Sequence, residues 1–224
     1  TADRLAKPTR RGRLPGAACP TRAAPQAPRR QPTLSRLLAS SPIAQWSDVV
    51  MAAAILKPLA EVGAARHMLA HAFGKITLFF AAGAIYTASK KTELWQLDGI
   101  GRRMPVTMTA FTIGALSMIG VPPTAGFISK WYILAGAFQA DNYMALATII
   151  ASTALNAAYF LPIVYAAWFR PETTPPARSH GEAPFAAVLA LEITAALTLL
   201  FFGYSAPAYE LEAQHVRGQP RANA

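Results

Sequence analysis

From residue 42 onward, apolar runs of membrane length alternate with short polar connectors, and this alternation organises the chain. Residues 43–59 are apolar but enclose Asp48 and Lys57, too short and too charged a run to predict a span by itself. Residues 61–89 are long enough to cross a bilayer and carry no charge between Lys75 and Lys90. Residues 105–121 and 124–140 read as two halves of one helix interrupted at Pro122-Pro123. Residues 142–169 form an uncharged stretch well above the ~20 residues a spanning helix needs. Residues 184–207 are the last candidate, interrupted only by Glu192. The pattern predicts an all-α, polytopic membrane helix bundle of about five to six transmembrane helices within residues 36–207.

The two main connectors are polar. One holds Lys90, Lys91, Glu93, Asp98, Arg102 and Arg103, and the other runs from Arg170 through Glu172 to Glu182. Basic residues favour the cytoplasmic side, which places the first connector inside. With the two halves around Pro122-Pro123 counted as separate crossings beside 142–169, three helices separate the connectors, so they are expected on opposite faces.

Composition agrees with a membrane body. The chain of 224 residues is 53% hydrophobic and 14% charged, with mean hydropathy +0.27; soluble domains carry about 25% charged residues. The net charge of +10 is concentrated at one end, because residues 1–40 hold nine Lys/Arg against Asp3 alone. Residues 1–35 are rich in Arg, Pro and Ala without helical or strand period, and are predicted to be a disordered tail. Residues 208–224 read as a polar C-terminal tail. A basic tail on a nearly neutral apolar body excludes a nucleic-acid-binding domain.

The candidate chemistry lies in the apolar runs. Lys130 is the only charge between Arg103 and Asp141. A lysine at the centre of a membrane helix costs about 2.5–3.5 kcal/mol on insertion scales, so it is expected to face protein, water or an ion pathway. Broken helices at membrane depth are tolerated where they line a cavity, and here the break and the lysine coincide. His67, His71 and Lys75 recur every four residues and form one polar stripe, opposite Leu69, Phe73, Ile76 and Phe80. Such a stripe suits proton relay, because imidazole exchanges protons near neutral pH. Its bland alternative is hydrogen-bonded packing. Asn156 is a secondary polar candidate, either binding water or joining helices. Glu192 is another, expected to pair with a buried cation or to face headgroups; Glu61 and Asp48 are read as interfacial carboxylates.

His67 and His71 also have the spacing of two metal ligands on one helix face. Position 68 is Met and position 69 is Leu, and no third ligand stands out, so no metal site is expected. There is no phosphate-binding glycine loop or nucleophile elbow, and Cys19 is the single cysteine. No cofactor-binding site and no catalytic residue are expected.

Three stretches together resemble one family. The segment His67-Met-Leu-Ala-His71-Ala-Phe-Gly-Lys75, the loop Leu97-Asp-Gly-Ile-Gly-Arg-Arg-Met-Pro105, and the segment from Gly114 through Pro122-Pro123 to Lys130 occur in the family's order. They resemble the proton-translocating, antiporter-like subunits of respiratory complex I (NADH:quinone oxidoreductase) and of Mrp-type Na+/H+ antiporters, the D-type subunit in particular. The resemblance covers about residues 36–169. It implies that His71 and Lys75 belong to a hydrated central axis, and that Lys130 is the terminal lysine gating exchange with one side of the membrane. It also implies partners: other membrane subunits, the lipid bilayer, protons and in antiporters sodium, with no cofactor of the chain's own. A bacterial plasma membrane is the expected location. Family members have about fourteen helices in two inverted repeats, and only the C-terminal part has a counterpart here. The chain is therefore expected to be a truncated copy whose first 35 residues are not family sequence. The alternative is a non-functional remnant with a packing role only.

Overall fold

The computed structural model describes residues 33–172 and 181–204, which form seven α-helices. They are α1 (Leu34–Ser40), α2 (Pro42–Ala54), α3 (Pro58–Ser89), α4 (Pro105–Ile119), α5 (Ala125–Gln139), α6 (Tyr143–Phe169) and α7 (Phe185–Gly203). Two short 3-10 turns, Leu94–Leu97 and Ile100–Arg102, lie in the first connector. Among the described residues the only strand-like pairing is an isolated bridge between Thr33 and Glu93. The expected tails at 1–35 and 208–224 lie outside the described residues, except that α1 already begins at Leu34.

The helix boundaries follow local chemistry. Proline opens α2, α3 and α4, where its missing N–H would be unbonded anyway. The Asn142 side chain accepts a hydrogen bond from the Ala145 N–H and caps α6. Gly120 ends α4 at φ 88°, in the left-handed region that favours glycine.

The longest helix, α3, has 32 residues and is the axle of the bundle, packing against α2, α4, α5 and α7. α4 and α5 both run antiparallel to α3, one after the other. Gly114 lies against Gly74 and Leu78, whereas Ser129 meets His67 and Gly136 meets Ala60. They are two halves of one pass, broken where Pro122-Pro123 predicts it. α1 and α2 form a similar pair: Leu34 N–H donates to Thr92 O, Lys75 to Ser41, and Ala52 clusters with Ala64. α6 runs back along the bundle, and α7 descends beside α3, with Thr194 at Thr77 and Phe201 at Phe73. The chain thus passes between the two ends five times, within the expected five to six. Three of these passes, α3, α6 and α7, are single helices long and apolar enough to cross a membrane among the described residues.

Counting α4 and α5 as one pass corrects the expected topology. The two connectors lie at the same end, not on opposite faces. Lys91 Nζ donates to Glu172 Oε1 at 3.0 Å and Arg103 Nε to Oε2 at 2.6 Å, while Arg170 approaches Asp98 at 3.7 Å. Partial burial pushes the Glu172 carboxyl up, but the hydrogen bonds and charges of Lys91 and Arg103 outweigh it and hold the group below its usual value. Glu182 caps α4: its carboxylate accepts from Val106 N–H at 2.7 Å and from the Thr107 hydroxyl at 2.6 Å.

Lipid offers no hydrophobic drive between apolar helices, so close backbone approach carries the packing. At Gly136 an added Cβ would lie 2.6 Å from Ala60 N, and at Gly63 one would lie 2.7 Å from Ile133 N. These two glycines let α3 and α5 touch backbone to backbone. The main core fills the connector half of the bundle, around Leu78, Ile85, Met108, Phe111 and Phe160.

Candidate proton path

Polar side chains collect at mid-bundle, where both broken passes are interrupted. On α3, His67 and Lys75 are buried and His71 is half-buried, whereas Met68, Leu69, Ile76 and Phe80 are exposed on the outer side. The four-residue spacing therefore does what the sequence predicts, aiming the titratable groups inward and the apolar ones outward.

A second stripe faces the first. Ser41, Gln45 and Asp48 fall at i, i+4 and i+7 around the start of α2, and all three are buried. Lys75 Nζ donates to the Ser41 hydroxyl at the α1–α2 break and lies 6.0 Å from the Phe79 ring centre. His67 Nε2 lies 2.9 Å from Gln45 Oε1, and its Nδ1 lies 3.0 Å from Ser129 Oγ on α5. The His67 and His71 rings are 6.4 Å apart.

The other break seats Lys130. The last carbonyls of a helix lack intrahelical partners and carry partial negative charge. Lys130 Nζ donates to two of them at the end of α4, Ile119 O at 2.9 Å and Met118 O at 3.2 Å. Its stem crosses Gly120, where an added Cβ would lie 2.9 Å from Lys130 Cδ. The interruption of the helix thus supplies both the room and the acceptors for this ammonium. Beside it a cavity of about 350 Å³ opens between α5 and α6, lined by Phe127, Lys130, Trp131, Ile149, Thr153 and Ala157 among others.

Protonation chemistry is built into the His67 contacts. Gln45 Oε1 only accepts, so His67 Nε2 carries a proton. Ser129 Oγ also lies 2.9 Å from Gly126 O. When His67 is neutral, the Ser129 hydroxyl donates to Nδ1. When His67 is protonated, Nδ1–H donates to Ser129 Oγ, and the hydroxyl turns to Gly126 O. Rotation of one hydroxyl accommodates the gain of one proton.

A family model described as "NADH:quinone oxidoreductase/Mrp antiporter, TM" matches residues 27–156, more than half of the chain. The chain belongs to this antiporter family. It is 39% identical over 154 residues to the NADH-quinone oxidoreductase subunit N of Desulforudis audaxviator, covering 69% of this chain and 31% of that protein. It is 33% identical over 134 residues to the D subunit of the Na(+)/H(+) antiporter of Alkalihalophilus pseudofirmus, covering 59% of this chain and 27% of that protein. A chain in the structure of respiratory complex I from Thermus thermophilus with bound aureothin matches with TM-score 0.67 and 26% identity, covering 86% of this chain and 44% of that one. The chain spans about a third of the length of these curated relatives.

In this antiporter-family bundle, His67, His71, Lys75 and Lys130 converge at mid-depth. Asn156 is buried on α6 and its Nδ2 donates to Ser152 O within its own helix. Glu192 is not brought to the cluster. It is half-buried on α7, where its electrostatic neighbour is Glu182, a like charge. Asp48 is buried at the centre and not at an interface, with Oδ2 accepting from Ser152 Oγ at 2.7 Å. Reading residues 43–59 as too short for a span hid it. The i, i+4, i+7 spacing of Ser41, Gln45 and Asp48 was the available signal.

Proposed function

We propose that the chain supplies a proton path, alone or coupled to sodium exchange, within an antiporter-like membrane subunit. The observation that carries this reading is the buried polar cluster linking the two broken passes through Ser41–Lys75, Gln45–His67–Ser129 and Lys130. A proton enters the histidine and lysine stripe of α3, moves through His67 and Ser129, and leaves by way of Lys130 and the adjoining cavity. The partners are other membrane subunits of a complex I-type or Mrp-type assembly, held in lipid in a bacterial plasma membrane. The residues in the path hold and pass protons; electron transfer belongs to partner subunits.

The test replaces Lys130 by Ala and by Gln in the assembly that contains the chain, with proton uptake measured in sealed vesicles. Gln retains N–H donors for the Met118 and Ile119 carbonyls but does not titrate, so it separates chemistry from packing. Both variants are expected to assemble and to lose coupled translocation. Normal uptake by Lys130→Gln overturns the reading.

A further inference from the structure

Asp48 is the one buried carboxylate at the centre of the described bundle, and the path above does not use it. It sits one turn beyond Gln45 on α2, just as Lys130 sits one residue beyond Ser129 on α5. His67 bridges Gln45 and Ser129, so the next inward-facing groups on the two helices are Asp48 and Lys130. They lie within electrostatic reach of each other. The Asp48 side chain is anchored on one side only, since Oδ2 accepts from Ser152 while buried Oδ1 has no hydrogen-bond partner among the described residues.

The groups around Asp48 define what it can do. From α5 it faces Lys130, and from α6 the Ser152 hydroxyl, with Asn156 one turn further along. From α3 the nearby titratable group is His67, already committed to Gln45 and Ser129. On α1, Arg36 is exposed. Arg66, also buried on α3, lies over the Tyr132 ring, and the cation that acts on the carboxylate electrostatically is Lys130.

We propose that Asp48 is a further proton-exchange residue of the path, taking one proton from Lys130 and returning it. In the step, an N–H bond of the Lys130 ammonium breaks and an O–H bond forms at Asp48 Oδ1. The charged ammonium and carboxylate become a neutral amine and a neutral acid, with no change in oxidation state and no other reactant. Ser152 holds the carboxylate in place throughout by donating to Oδ2. This proposal rests on the proton-path reading and adds to it a carboxylate on α2 that holds a proton given up by Lys130.

Two measurements test it. The first is infrared pH titration of the full chain in lipid. In the difference between wild type and Asp48→Asn, one protonated-carboxyl stretching band is expected, with its midpoint shifted toward higher pH in Lys130→Gln, because removing a nearby cation favours the neutral acid. Absence of any difference band at every pH, or an unchanged midpoint in Lys130→Gln, overturns the exchange. The second is vesicle proton uptake in the assembly. Asp48→Asn is expected to lower uptake about a hundredfold, the usual scale for a positioned proton-transfer group, while Asp48→Glu restores most of it. Loss of uptake in Lys130→Gln with normal uptake in Asp48→Asn overturns the proposal and leaves the lysine path standing. Normal uptake in both variants overturns the path and the proposal together.

Discussion

Replacing Gly136 by Ala tests whether backbone contact between α3 and α5 sets the geometry of the proton path. An added Cβ lies 2.6 Å from Ala60 N, 2.7 Å from Ala60 Cβ and 2.8 Å from Ala60 Cα. Ordinary contact begins near 3.4 Å, so the helices must part by about 0.8 Å at this point. Backbone atoms cannot swing aside as a side chain can. Overpacking of this kind costs about 1–3 kcal/mol. The gain from removing a mid-helix glycine, about 0.5–1 kcal/mol, offsets only part of it. Two turns along α5, Ser129 bonds His67 at 3.0 Å. Transmitted in full, the displacement stretches that contact beyond hydrogen-bonding range. The control is Gly83→Ala, on the same long helix at a position where an added Cβ meets nothing within 4 Å. Denaturant unfolding in detergent is expected to show Gly136→Ala destabilised by about 0.5–2 kcal/mol net and Gly83→Ala stabilised by about 0.5–1 kcal/mol. The His67 ring nitrogen resonances should move only in the former. Equal stability of the two variants refutes the argument that α3 and α5 are held by glycine-mediated contact.

Two further expectations concern the connector end. The Glu172 carboxyl is held below its usual value, so its contribution is complete above the ordinary glutamate pKa near 4.5 and is lost as pH falls through the lowered folded value. Unfolding midpoints followed downward from pH 5 should therefore fall more steeply in the wild type than in Glu172→Gln, which lacks the titrating group; parallel curves would refute the ion-pair assignment. Glu182→Ala removes the carboxylate that caps α4 and should cost about 0.5–2 kcal/mol in the same assay, with Glu182→Gln losing less because its amide oxygen still accepts.

The parts of the molecule legible in the sequence were those governed by local spacing. His67, His71 and Lys75 share a helix face by periodicity alone, and Pro122-Pro123 marks a break because proline cannot continue a helix. The placement of the connectors was not legible. It depends on α4 and α5 lying end to end along α3, a tertiary fact that a count of apolar runs misreads as two crossings. Asp48 was misjudged for a related reason. Scored by itself, residues 43–59 are short and charged, but α1 and α2 join across Ser41 into one pass that carries a buried polar face. Glu192 was open between a cationic partner and headgroups in the sequence, and on α7 it is half-buried with Glu182 as its electrostatic neighbour. In each case the missing information was which helix lies alongside, and that is set by backbone contacts between residues far apart in sequence.

The seat of Lys130 has a consequence for how charge becomes movement. Main-chain oxygens at a helix terminus attract an ammonium strongly and an uncharged amine weakly, so the grip on this side chain lasts only while it is protonated. On the proposed path, giving up the proton would free a four-carbon arm to sweep into the neighbouring hollow between α5 and α6, and regaining one would draw it home. The interruption between α4 and α5 would then act as a latch, in which the occupancy of a single nitrogen decides the direction the arm points.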